Sequence, residues 1–334
     1  MACTVEDGDP VKQKVFIRGD YNNPGEDAPQ AFPKILMANL KQPEIASGSG
    51  RYRLAEWLAR PDNPLPSRVM MNRVWQWHFG EGIVRTPDNL GKMGERPTHP
   101  ELLDYLASRF IQSGWSIKAM HRMIVLSNAY RMSSDAGPGA MEGDPENRLF
   151  SRFNRQRLDV EQIHDAMLEI DGNLDVTMGG TLQHGFGTDK ENSSDRLSLN
   201  PEALRRRTVY LPLRRANLPT LLNLFDFGDA TTVTGKRQLT NVAPQALFMM
   251  NSEFLADRAM NVAKSVAKES ADPARRREKA YWKILGRPPS AGEVDAGLSY
   301  MDSFRKKFAK FSEIEAWQSY CRILLASDDF IYVD

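Results

Sequence analysis

Two cysteines in 334 residues, Cys3 and Cys321, are too few for a disulfide framework. Neither belongs to a C-x-x-C pair, so redox and haem-attachment motifs of that kind are missing as well. Long apolar runs are also lacking. Nothing approaches the roughly 20 consecutive apolar residues of a membrane span, and the N-terminus has neither the basic nor the apolar part of a secretory leader. Charge of one sign is not in excess: 44 Lys and Arg face 43 Asp and Glu, and the net charge is +1. No long-range field therefore draws a nucleic acid or an anionic membrane surface. The sequence has no P-loop, no G-x-S-x-G elbow, no H-E-x-x-H and no dinucleotide fingerprint. The expectation is a non-membrane chain with no nucleic-acid partner and no cofactor, in which any chemistry is assembled from residues distant in sequence.

What is present suits a globular fold. The chain is 41% hydrophobic and 26% charged and carries six tryptophans. A chain of this length buries roughly three quarters of its unfolded surface, enough for a core without covalent staples. Cys321 lies in the apolar run from Trp317 to Leu325 and is expected to be an inert, buried thiol.

Hydrophobic spacing predicts mostly helices. The alternating stretch Val15 to Asp20 meets the turn cluster Asn22-Asn23-Pro24-Gly25, and Pro29, Pro33 and Pro43 then keep the backbone extended. Residues 1–50 are therefore expected to be an extended lead-in segment and linker. Leu54, Trp57 and Leu58 fit one helix, which Pro61-Asp62-Asn63-Pro64 ends. Ser67 is expected to cap a second helix with Val69, Met70, Val74, Trp77 and Phe79 in its buried stripe, stopped by Gly80-Glu81-Gly82. Thr98 and Glu101 have capping-box spacing for a third helix, and Ser116 can cap a fourth. Helices are predicted at 147–157 and 159–170, closed by Gly172. A glycine-rich connection follows over 173–207, then a strand candidate at Thr208 to Leu213. Further helices are predicted at 243–251, 252–268, 273–285, 291–308 and 313–326, with capping boxes at Ser290/Glu293 and Ser312/Glu315. The fold class expected is mainly α, a multi-helix orthogonal arrangement with a few short strands. Its organisation is a helical N-terminal half at 51–172 and a helical C-terminal half at 208–334, with 51–334 also readable as one domain.

The densest polar stretch runs from Gly80 to Glu101. Its glycines allow close backbone approach, Asp88 and His99 could orient one another as carboxylate and imidazole, and Arg85 could clamp an anion. Arg85, Asp88 and His99 are thus the catalytic candidates. The plainer alternative makes His99 the residue that leads into a helix and Asp88 a turn cap. Glu161 and His164 have the i, i+3 spacing of a helix-borne metal motif, but a second copy and facing glutamates are lacking, so a surface helix is the competing account. His78, between Trp77 and Phe79, is expected to be a core or rim ring, and His121 and His184 have no carboxylate nearby in sequence. Arginine groups at 205–207, 214–215 and 275–277 are expected to be solvated.

Longer segments carry a resemblance. Arg53-Leu54-Ala55-Glu56-Trp57-Leu58, Pro61-Asp62-Asn63-Pro64-Leu65, Asn72-Arg73-Val74-Trp75-Gln76-Trp77-His78-Phe79-Gly80, Arg155-Gln156-Arg157, Leu224-Phe225-Asp226-Phe227 and Pro244-Gln245-Ala246-Leu247 stand among them. From about Arg51 to Asp334 the chain resembles the C-terminal domain of unknown function that accompanies cytochrome c domains in large planctomycete proteins. The resemblance implies a place after a haem-binding domain and a second helical domain in exported proteins, hence a protein partner of one of those kinds and a periplasmic or extracytoplasmic location. This chain is then a fragment of a longer protein or a stand-alone version. The resemblance brings no established activity and no catalytic residues. The functional expectation is a non-catalytic interaction or scaffold module; the alternative is a hydrolase acting on a carbohydrate or related polymer.

Overall fold

The computed structural model describes residues 6, 8, 13–37, 48–135, 137–178, 205–211, 218, 220–229 and 231–333. Among them the chain is mainly α, with thirteen α-helices and two small antiparallel sheets. The chain divides into two compact units, Met1–Phe153 and Asn154–Asp334. Most of the predicted glycine-rich connection, and the strand candidate beyond Leu211, lie outside the described residues.

In the first unit β1 (Gln13–Phe16) pairs with β2 (Pro24–Ala28), with Gln13 opposite Ala28. The turn between them places Arg18 at φ 56 and lets Asp20 accept the Asn22 amide at 2.9 Å. Phe32 stacks on Trp57 at 4.7 Å, and the Trp57 indole donates to the Met37 sulfur at 3.1 Å. The lead-in segment is therefore packed against helix α1 (Arg51–Leu58).

Helix α2 (Pro66–Phe79) starts with Pro66, whose fixed φ suits a first turn, and ends at Gly80 in the left-handed region, φ 78. Ser67, the expected cap, falls inside the helix and is buried, two residues past the N-cap position held by Leu65. Helix α3 (Pro100–Gln112) likewise opens on a proline, with His99 at its N-cap position, so the Thr98/Glu101 capping box does not form. Helix α4 (Ile117–Val125) is capped as expected, the Ser116 hydroxyl accepting from the Ala119 amide. Met71, Val74, Trp75 and Phe79 of α2 meet Leu103, Leu106 and Phe110 of α3 and Met120 and Ile124 of α4 in one core. Trp77, expected in that stripe, is 61% exposed. Its neighbours Trp75 and Phe79 point inward two residues to either side, and a helix turns about 200° over two residues.

A short helix, α5 (Pro138–Gly143), closes this unit, and the predicted helix at 147–157 is absent. Asp144 explains why: its carboxylate accepts the Arg148 and Leu149 amides at 2.7 and 2.8 Å. Asn147 and Phe150 adopt φ 50 and 52, and the Asn147 amide donates to the Arg152 carbonyl. Side-chain capping of local amides here outcompetes the helical ladder.

In the second unit β3 (Gln156–Arg157) pairs with β4 (Tyr332–Val333). Between them lie α6 (Val160–Ile170), α7 (Thr220–Leu224), α8 (Ala243–Asn251), α9 (Glu253–Glu269), α10 (Pro273–Leu285), α11 (Ala291–Lys307), α12 (Glu313–Leu325) and α13 (Asp328–Ile331). Ser252, Asp272 and Ser290 accept amides at the starts of α9, α10 and α11, and capping boxes close at Ser290/Glu293 and Ser312/Glu315. Helix α9 packs most extensively on α12. Leu255, Ala259, Val262, Ala263 and Val266 line one face, and the two alanines let Trp317, Tyr320, Cys321 and Leu324 of α12 come close. Thr208–Tyr210, predicted as a strand, is a 3-10 turn. The Thr208 amide and hydroxyl both donate to Asp165, at 2.8 and 2.6 Å, which bends the backbone out of an extended path.

Candidate functional site

The polar loop after α2 is built around one side chain. Asn72 is fully buried; its Nδ2 donates to the Val84 carbonyl at 2.9 Å and its Oδ1 accepts the Val84 amide at 2.7 Å. Ile83 and Val84 are thereby drawn into the core, and the Thr98 amide donates to the Ile83 carbonyl at 2.9 Å, closing the loop at its base. A Cβ on Gly82 would lie 2.8 Å from Asn72 Nδ2, so this close approach requires glycine. At the tip the Thr86 hydroxyl donates to the Asn89 carbonyl at 2.8 Å and accepts the Glu95 amide at 3.0 Å.

The three catalytic candidates sit on this loop with different partners. Arg85 donates to the Glu146 carbonyl at 2.8 Å and lies 3.7 Å from the Glu146 carboxylate. Asp88 is exposed and lies 3.6 Å from Arg73 of α2. His99 Nδ1 meets the Thr98 hydroxyl at 3.0 Å, its ring 5.8 Å from that of Phe150.

A second constellation in the same unit joins residues that the sequence did not link. His78, near the end of α2, and His121, on α4, face each other with Nε2 and Nδ1 2.7 Å apart. Their rings cross at 71°, and Tyr130 stands edge-on to His78 at 5.4 Å. Burial, and then the neighbouring His121, hold the His78 pKa below the ordinary imidazole range. A hydrogen bond between imidazoles needs one donor and one acceptor, so a doubly protonated pair is incompatible with this geometry. Forty-three residues separate the two rings in sequence, and no local pattern connects them.

In the second unit, α6 presents Glu161 and His164 to different surroundings. Glu161 takes both guanidinium nitrogens of Arg237 at 2.7 Å. His164 is buried, stacked flat on Phe254 at 5.5 Å, with Nδ1 2.9 Å from the Thr208 hydroxyl. Among the described residues no three His, Cys, Asp or Glu side chains gather so as to hold a metal ion. Beside α6, Arg157 is buried and donates to Asp226 at 2.8 Å and to the Thr240 carbonyl. Asp226 also accepts the Thr240 amide at 2.8 Å and hydroxyl at 2.7 Å. Burial alone would raise the Asp226 pKa, but the Thr240 donors and Arg157 outweigh it and hold it low. This network fastens three separate segments of the unit.

A cavity of ≈ 460 Å³ opens where α11 turns into α12. Phe304, Phe308 and Phe311 line it with ring centroids 5.0 to 6.0 Å apart. Phe308 and Phe311 are 43% and 53% exposed. Arg305 and Glu313 also line it, and Lys307 Nζ stands 6.0 Å from the Phe308 ring centroid; Arg305 lies 3.6 Å from Asp302, and Glu313 is paired with Arg276 at 3.0 Å.

A family model described as "Protein of unknown function (DUF1553)", named PSD1, matches residues 50–301, three quarters of the chain. The chain belongs to this family. The match confirms kinship with a domain of unknown function; it contains the Asn72 loop, the histidine pair and all of α6, and it ends before the phenylalanine cavity. No curated protein and no solved structure matches the chain. Among the described residues no helix is long and apolar enough to cross a membrane.

Proposed function

We propose that this family member is a non-catalytic interaction module, with the α11–α12 cavity as its docking point for a protein partner. The observation that carries the reading is the pair of exposed rings Phe308 and Phe311 beside the half-buried Phe304, with Arg305 in the lining and Lys307 over Phe308. Soluble proteins seldom leave clustered aromatic rings in water without using them, and aromatic anchors with arginine dominate interface energetics. Arg305 and Lys307 beside the rings favour a partner segment that carries a carboxylate next to one apolar anchor. In longer planctomycete proteins that the chain resembles, the partner is the cytochrome c domain or the second helical domain, and the complex works outside the cytoplasm.

Support over the alternative, hydrolysis of a carbohydrate or related polymer at Arg85, Asp88 and His99, comes from the contacts of those residues. Asp88 faces solvent beside Arg73, and His99 is turned to Thr98. Titration calorimetry of the chain against each of the two recombinant domains tests the reading. Binding of one domain, weakened about 30-fold by Phe308→Ala with Phe311→Ala as expected of anchor residues, supports it. A chain that binds neither domain yet releases reducing ends from a polysaccharide overturns it.

A further inference from the structure

The histidine pair lies in the other unit from the proposed docking cavity and has no part in it. Two rings are held nitrogen to nitrogen at 2.7 Å, each on its own helix and each part-exposed. Either ring can give up its facing proton by changing tautomer, and a turn of the two rings then brings both lone pairs to one point beside the line that joins the nitrogens. Neutral imidazole is the commonest side-chain ligand of zinc, copper and nickel, whereas calcium and magnesium prefer oxygen.

We propose that His78 and His121 form a two-imidazole binding site for a divalent transition-metal ion, clamping α2 to α4, with water filling the other coordination positions. Distance selects among the metals. With metal–nitrogen bonds of about 2.05 Å, two cis ligands at 90° are about 2.9 Å apart, and two tetrahedral ligands about 3.3 Å. From 2.7 Å the pair opens by about 0.2 Å for the first geometry and about 0.6 Å for the second. Tetragonal copper(II) and nickel(II) therefore fit better than zinc, and the general affinity order of nitrogen sites favours copper further. The Ser116 cap and the buried Met120 and Ile124 fix the helix that carries His121.

The test uses the full chain, freed of metal with a chelator and titrated at pH 7.5 with copper(II), nickel(II) and zinc(II) chlorides. Calorimetry reads affinity and stoichiometry, and electron paramagnetic resonance of the copper form reads the number of coordinated nitrogens. The expected result is one copper per chain with two imidazole nitrogens in the spectrum, in the affinity order copper, nickel, zinc. His121→Asn, at a part-exposed position of α4, lowers copper affinity at least 10-fold, the smallest loss brought even by changes in groups behind the ligands. A His99→Asn control leaves affinity unchanged, and circular dichroism of each variant confirms that the helices persist. Copper binding that is absent in the parent chain, or undiminished in both His121→Asn and His78→Asn, overturns the proposal. So does a spectrum with a single nitrogen.

Discussion

Replacing Asn72 with alanine tests the claim that one amide organises the loop. The side chain makes two hydrogen bonds to the same residue, one to each backbone group of Val84, at 2.9 and 2.7 Å. Val84 is only 3% exposed, so in Asn72→Ala neither group finds water without opening the core. A buried polar group left unsatisfied costs about 1–3 kcal/mol, giving about 2–6 kcal/mol for the two. Partial entry of water into the vacated volume trims the upper end, and we expect a loss of about 3–4 kcal/mol. Against the ~5–15 kcal/mol that holds a typical domain, this is a large fraction. Urea unfolding followed by tryptophan fluorescence measures it as a lower midpoint at unchanged slope, and hydrogen exchange at the Val84 amide shows whether the loop base has opened. A loss below about 1 kcal/mol, with the Val84 amide still protected, would refute the reasoning.

Three further outcomes follow from other sites. Asp226→Ala strands the buried Arg157 guanidinium and removes the acceptor of the Thr240 amide, and should cost about 3–5 kcal/mol in thermal or urea unfolding; a neutral effect would mean Arg157 re-pairs. Hydrogen bonding from Arg287 pulls the Glu293 pKa from 4.5 to about 2. A carboxylate depressed in the fold stabilises above its unfolded pKa, so the melting temperature should fall as pH drops from about 4.5 towards 2, and Glu293→Gln should flatten that slope. Burial pushes the Cys321 thiol up to about 12, so in a Cys3→Ser chain a disulfide reagent at pH 8 should leave Cys321 unlabelled until the chain unfolds; fast native labelling of Cys321 would contradict the packing of α12 on α9.

How much the sequence could disclose varied with the range of the forces involved. Helices α8 and α10 begin and end at the predicted residues because proline near the first turn and a glycine or capping serine at the end are local signals. Ser290 and Ser312 were legible for the same reason, since a capping box spans four residues. The misses come from side chains acting across the chain. Asp144 diverts 147–150 from a helix by accepting backbone amides, a competition that the Asp-x-x-x-Arg spacing does not announce. Asp165 bends Thr208 from 43 positions away, and no spacing rule announces such a partner. Within the candidate loop, the richness in glycine and polar residues was visible, but the role of Asn72 was not, because a buried asparagine in a helix looks in sequence like any surface one. Arg85, Asp88 and His99 do share the loop, as the sequence implies, and each takes its own partner there. The histidine pair was out of reach, having each ring on a different helix.

The ladder of β3 and β4 joins the opening residues of the second unit to its last described ones, Gln156 to Val333 and Arg157 to Tyr332. Its two chain ends therefore leave from the same spot, and tension applied to them loads the ladder one residue pair at a time, like a zip. Such a seam opens at low force and recloses without a search, and the bond from the Leu158 amide to the Ile331 carbonyl is the next to take the load. A unit closed in this way can hang within a longer polypeptide without transmitting strain from its tethers into its core.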